Sequence, residues 1–280
     1  MSRHRYSYNL MGFGGEDVGF SLERVARLGY DAVEVEGEPE RHDPRRIEAL
    51  AGDLGLTISS VCPNFTSERD LSHPDPDVRR EAIAYVRRVV EFAGRLGAPL
   101  VVVCPTAYLR TTPIADPLDE WRWAVESIHE AGEHAVEVGI DLSLECWNRY
   151  GTYMLNRVDE GVRMWQETGL RNGGVMADTF HMNIEERSVA EAVGFVGPLL
   201  NHVHLSDSNR LAPGLGHIDF GEVLGVLDGM GYEGYLAFEL IADLPNRFDG
   251  GDLPDLDGVA EQAIGHMRTV ERLAARMGGG

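Results

Sequence analysis

The sequence is poor in cysteine, and the little it has excludes a disulfide scaffold. Cys62, Cys104 and Cys146 are an odd number, far apart, with no Cys-x-x-Cys pair. That usage points to a reducing, cytoplasmic setting. No run of 18 apolar residues occurs, so no membrane span is expected. The opening residues, Met1-Ser2-Arg3-His4-Arg5, lack the apolar segment of a secretory leader. Basic residues are scarce beside acidic ones, 25 against 46, for a formal net charge of −21. A surface of that sign repels nucleic-acid phosphate and anionic membranes, which leaves small molecules as the expected partners. A dinucleotide fingerprint is missing too. Met11-Gly12-Phe13-Gly14-Gly15, after the first strand-like run, lacks the GxGxxG spacing, which argues against an open doubly wound sheet.

What is present is a regular alternation of short apolar runs and amphipathic stretches. The runs are Tyr6–Met11, Ala32–Glu36, Leu56–Cys62, Pro99–Cys104, Ile140–Cys146, Gly174–Ala177, His202–Ser206 and Tyr235–Leu240. Several are nearly continuous Val, Ile and Leu, as strands buried on both faces should be. Helical stretches such as Pro76–Leu96, Leu118–Val138 and Leu256–Met277 separate or follow them. Glycines at 29, 55, 139 and 231 punctuate helix ends, where a left-handed cap is needed. Eight strand–helix pairs in 280 residues predict one α/β domain, a closed (β/α)₈ TIM barrel, for which about 250 residues is typical. Residues 243–258 are polar and rich in Pro and Gly, and read as a loop after the eighth strand. It could cover the active face or be a plain acidic surface loop. Gly278–Gly280 reads as a disordered tail.

In such a barrel the chemistry sits at the C-terminal ends of the strands. The fifth run delivers Glu145 there, the sixth Asp178, the seventh His204 and the eighth Glu239. Each residue alone has an ordinary explanation, as a solvated strand end or a hydrogen-bonded core histidine. Three carboxylates and an imidazole on four successive strand ends do not, because the carboxylates would repel one another unless protonated or bridged by a cation. One nitrogen and three oxygens suit Mn²⁺, Co²⁺ or Mg²⁺, with zinc left open. His202 shares the face of His204 but lies further from the rim, so it is expected to support the site rather than ligate.

At these residues the chain resembles the ketose 3-epimerases of the D-tagatose/D-allulose type, within the xylose-isomerase-like sugar isomerase/epimerase superfamily. The resemblance rests on Leu144-Glu145-Cys146-Trp147-Asn148-Arg149-Tyr150, Asp178-Thr179-Phe180-His181-Met182-Asn183-Ile184-Glu185-Glu186 and His202-Val203-His204. It continues through Ser208-Asn209-Arg210, Pro213–Phe220, Gly231–Tyr235 and Pro74–Arg79. It implies Glu145, Asp178, His204 and Glu239 as ligands of one divalent ion, Mn²⁺ foremost. It also implies Glu145 and Glu239 as acid/base groups on opposite faces of the sugar, and His181 and Arg210 as contacts to its oxygens. Trp147 and Phe180 could pack on a sugar face or simply fill the core. The reaction implied is proton removal beside a carbonyl through a metal-stabilised enediolate. A homo-oligomer, dimer or tetramer, is expected on the same ground.

The family motif after the first ligand runs Asn-Arg-aromatic-Glu, with the Glu contacting substrate. Here Gly151 stands in its place, an exchange expected to remove a hydrogen-bond partner and open volume. His204-Leu205-Ser206-Asp207 also differs from the Thr-Gly-Glu usual there. These departures keep a second reading in view: a lyase on 3-oxo-glycosides, like the metal-bearing subunit of C-glycoside deglycosidases, working with a partner subunit. An endonuclease of the endonuclease IV type shares the barrel and an Asp-x-x-His. It needs further histidines where the third and fourth strands here end in Cys62-Pro63-Asn64 and Cys104-Pro105-Thr106, and the acidic charge opposes DNA. A barrel retained only for binding is at odds with four intact candidate ligands.

Overall fold

The computed structural model describes residues 4–240 and 255–277. Eight strands alternate with helices in chain order. They are β1 (Arg5–Asn9), α1 (Val18–Arg27), β2 (Ala32–Glu36), α2 (Pro44–Asp53), β3 (Thr57–Cys62), α3 (Pro76–Leu96), β4 (Leu100–Val103) and α4 (Pro117–Val138). There follow β5 (Asp141–Leu144), α5 (Val158–Thr168), β6 (Gly173–Asp178), α6 (Thr179–Glu185), α7 (Val189–Val196), β7 (Leu200–Leu205), α8 (Phe220–Met230), β8 (Tyr235–Phe238) and α9 (Leu256–Met277). Each strand pairs in parallel with its neighbours, and β1 also pairs with β8, closing the (β/α)₈ barrel.

Local chemistry accounts for the helix boundaries. Asp43-Pro44, Asp75-Pro76 and Asp116-Pro117 open α2, α3 and α4 in one way. The aspartate accepts a backbone N–H two residues on, and the proline occupies the first turn, where no N–H is needed. At the other ends Gly29, Gly55, Gly139 and Gly231 all adopt positive φ, as the sequence predicts. Gly173 and Gly174 serve another purpose. A Cβ on either would stand 1.9 Å from the carbonyl oxygen of Leu142 or Leu199, so only glycine lets β6 close against its surroundings.

Several strands stop short of their apolar runs. β1 ends at Asn9 because its side chain accepts the N–H of Met11 and folds Leu10–Phe13 into a 3₁₀ turn. β5 and β8 end at Leu144 and Phe238. The next residues still reach back: Glu145 N donates to Val103 O at 2.9 Å and Glu239 N to Leu205 O at 3.2 Å. Of the expected loop, residues 243–254 lie outside the described residues, whereas Leu256–Gly258 already form the first turn of α9, fixed by Asp255 accepting from Gly258 N at 2.9 Å. Gly278–Gly280 also lie outside. Among the described residues no helix is long and apolar enough to cross a membrane.

The apolar core lies between strands and helices. The barrel interior is different: Ser7, Asn9, Glu34, Ser60 and His202 are all buried there and bonded to one another or to nearby partners. That polar plug sits beneath the site.

A candidate metal centre at the barrel mouth

Glu145, Asp178, His204 and Glu239 converge. Each offers one donor atom, and these atoms all lie within 4.8 Å of one another. Register explains the meeting, since Asp178 and His204 are direct partners across β6 and β7. His204 Nδ1 faces the cluster at 3.0 Å from Glu239 Oε2, 3.6 Å from Asp178 Oδ2 and 3.7 Å from Glu145 Oε1. Asp178 also caps α6, its Oδ1 accepting from Phe180 N and His181 N.

The electrostatics follow from burial. Desolvation, then the neighbouring Glu239 carboxylate, push the Glu145 carboxyl up to about 8. Burial works against the charges of Asp178 and Glu239 as well. The Arg210 guanidinium outweighs it, with His181 and His204 for Asp178 and His204 for Glu239, and holds both below the usual carboxylate range. His204 is drawn upward by Glu34 and Glu239 against its own desolvation. Glu145 Oε1 is buried with no hydrogen-bond partner, and its other oxygen has only the Cys104 thiol at 3.4 Å. An orphaned buried carboxylate oxygen among three further donors is what a divalent cation satisfies, so the residues fit such an ion.

The sequence did not single out Glu34. This β2 residue lies on the barrel's inner face, wholly buried. It accepts from Asn9 Nδ2 and Ser60 Oγ at 2.7 Å each, pairs with His202 Nε2 at 2.8 Å, and places Oε1 in ion-pair contact with His204 Nε2 at 2.8 Å. His202 thus supports Glu34 instead of joining the four-residue cluster. Burial opposes the charge of Glu34, but the two histidines override it and hold its carboxyl low.

The expected substrate contacts line one cavity of about 900 Å³, which also contains Glu145 and Glu239. His181 Nδ1 accepts from Asn148 N at 3.0 Å, so the proton of the neutral ring sits on Nε2. Burial drives its pKa down to about 4, which keeps it a neutral donor. Arg210 is clamped to Asp178 Oδ1 and Oδ2 at 2.8 and 2.7 Å, bonds Glu239, and has its guanidinium 4.9 Å from the centre of the Phe180 ring. Trp147 meets Tyr108 edge-on, centroids 5.4 Å apart. Arg210 and Leu109 are the two non-glycine residues with positive φ among the described residues, and both line this cavity. Each such residue costs roughly 1–2 kcal/mol, a strain that gathers at functional sites.

Gly151 does not line the cavity, so the exchange does not simply leave a void in its wall. A Cβ there would meet Trp147 Cβ at 3.3 Å and the Tyr108 ring at 3.4 Å, and its carbonyl accepts from Leu109 N at 2.7 Å. Of the cysteines, all free and buried, Cys62 lines the cavity, Cys104 touches Glu145, and Cys146 packs by Gly161.

Residues 22–270 match the family described as xylose isomerase-like TIM barrel. The chain belongs to that family. Within it, the chain is 34% identical over 232 residues to a D-psicose 3-epimerase of Ruminiclostridium cellulolyticum, covering 80% of this chain and 78% of the relative. It is 28% identical over 241 residues to a 3-dehydro-D-guloside 4-epimerase of Escherichia coli, covering 81% and 88%. The crystal structure of a D-psicose 3-epimerase with D-tagatose from Clostridium cellulolyticum H10 superposes with a TM-score of 0.87 at 29% identity, covering 95% of this chain and 99% of that one. The xylose isomerase-like family member described here is an enzyme of the isomerase class, similar to ketose 3-epimerases.

Proposed function

We propose that the chain is a divalent-metal-dependent epimerase of a keto-sugar, with Mn²⁺ as its ion. The observation that carries this reading is the convergence of Glu145, Asp178, His204 and Glu239 around the unpartnered Glu145 oxygen on a cavity of sugar-binding size. An ion bound by these four residues supplies Lewis acidity that makes the C–H beside a substrate carbonyl removable as a proton. The chain does the rest. Glu145 and Glu239 are the acid/base pair, and before an ion enters, their surroundings already set them apart, raising the Glu145 carboxyl and lowering that of Glu239. One carboxylate takes the proton, giving an enediolate, and the other returns one on the opposite face. His181 offers its Nε2 proton to a substrate oxygen. Arg210 holds another, and Phe180 and Trp147 border the sugar.

The 3-oxo-glycoside reading, ending in elimination with a partner subunit in place of reprotonation, draws support from Gly151, where the ketose motif has a carboxylate. The relative acting on a 3-dehydro-guloside brings keto-glycosides within the same family's range. The free, buried cysteines suit a reducing compartment. The test is incubation of ketohexoses, ketopentoses and 3-oxo-glycosides with enzyme and Mn²⁺ in D₂O, followed by NMR. Deuterium beside the carbonyl of an epimerised product is expected. Product without deuterium would exclude the proton-transfer route, and a released aglycone without epimer would favour the lyase.

A further inference from the structure

The cavity extends well beyond the four-residue cluster. Its outer wall is built by the segments after β3 and β4, where Phe65, Tyr108, Leu109 and Ile114 join Trp147 as lining residues. Tyr108, Leu109 and Ile114 leave 58, 65 and 53% of their surfaces open. Apolar side chains so exposed on a loose loop would be unremarkable, but this wall is held rigid. Arg110 places Nε 2.8 Å from Asp70 Oδ2 and Nη1 2.7 Å from Glu120 Oε2, while Glu120 Oε1 accepts the backbone N–H of Ile114 and Ala115 at 2.8 and 2.6 Å. Leu109 is fixed in its left-handed conformation by Gly151 O, and Tyr153 N donates to Arg110 O at 3.1 Å. Tyr108 and Trp147 border the Gly151 position, where a Cβ would stand 3.4 Å from the Tyr108 ring and 3.3 Å from Trp147 Cβ.

We infer that this wall is a binding subsite for an apolar, ring-shaped substituent carried by the sugar through a glycosidic oxygen, so that the substrate class is an aryl keto-glycoside. The inference rests on the proposed seat of the keto-sugar at Glu145 and Glu239, from which the wall is continuous within one cavity. Three arguments support it. The cavity is several times larger than a ketohexose. Its outer lining is mainly flat and aliphatic surface, with Asn64, Thr66, Ser67 and His73 as polar residues along one side. The Arg110–Glu120–Asp70 clamp, with both carboxylates buried, presets that surface, so little ordering is left for binding to oppose.

The test compares free ketohexoses with the methyl, 4-nitrophenyl and disaccharide forms of one 3-oxo-hexoside, each with Mn²⁺ in D₂O. The aryl glycoside is expected to exceed the methyl glycoside in kcat/KM by about tenfold or more. Leu109→Ala and Ile114→Ala, at exposed positions that do not threaten the fold, should raise KM for the aryl probe about fivefold more than for the methyl probe. Equal kcat/KM for aryl and methyl probes, a preference for the disaccharide or the free ketose, or variants that shift both probes alike would overturn the inference. Absence of deuterium incorporation into every probe would instead defeat the proposed function beneath it.

Discussion

His204 Nε2 and Glu34 Oε1 stand 2.8 Å apart inside the barrel, both fully buried, and on the opposite side of its ring His204 turns Nδ1 toward the three carboxylates. The carboxylate at Glu34 thereby fixes which imidazole nitrogen faces the candidate metal. Partners of this kind set ligand orientation and basicity. Glu34→Gln should weaken Mn²⁺ binding about 10–100-fold, measured by titration calorimetry on the metal-free protein. An unchanged Kd would show that His204 is oriented without it.

Glu145→Gln and Glu239→Gln should each lower kcat by at least about a hundredfold, the usual scale for losing a positioned acid or base. Circular dichroism should show the barrel intact. Wild-type rates in either variant would remove that residue from the acid/base pair.

Metal uptake should depend on pH in a direction that Glu145 sets. Its metal-free pKa of about 8 lies above the usual carboxylate value, so at pH 7 it holds a proton that an entering cation must displace. Mn²⁺ affinity should therefore rise as pH climbs from 6 toward 8. His204, drawn upward by its carboxylate neighbours, must also give up a proton to ligate, so calorimetry in buffers of different ionisation enthalpy should detect about one to two protons released at pH 7 and fewer above pH 9. The linked effect on folding has the opposite sign. A carboxyl raised in the native state favours folding at low pH, and that contribution is lost as pH rises from its ordinary value toward 8. The metal-free protein should lose this term over the same interval in which metal binding strengthens.

Much of this was legible in the sequence. Continuous Val/Ile/Leu runs, Asp-Pro helix starts and glycine helix ends carry the barrel, and the residues at or just past four strand ends carry the cluster. Glu34 was hidden because Ala32-Val33-Glu34-Val35-Glu36 reads as an alternating strand with one solvated face, and in a closed barrel that face turns inward. A signal was available in the polar residues recurring at interior positions of β1, β2, β3 and β7. Gly151 was readable as a departure from the ketose motif, but only packing reveals that Tyr108 and Trp147 border the place of its missing side chain. The clamp around Arg110 joins residues 40 and 10 positions away, a proximity that no local pattern carries.

Gly173→Ala would add a Cβ 1.9 Å from a backbone oxygen at a φ of 139°. A stability loss on the order of 2–4 kcal/mol is expected in urea unfolding. A loss under about 1 kcal/mol would mean that β5 and β6 can part locally without disturbing the barrel.

Arg210, held in a left-handed backbone conformation, spans Asp178 and Glu239 with one guanidinium. The chain thus brings its own cation to the acidic cluster, so part of the repulsion among these carboxylates is offset by a side chain from the segment after β7.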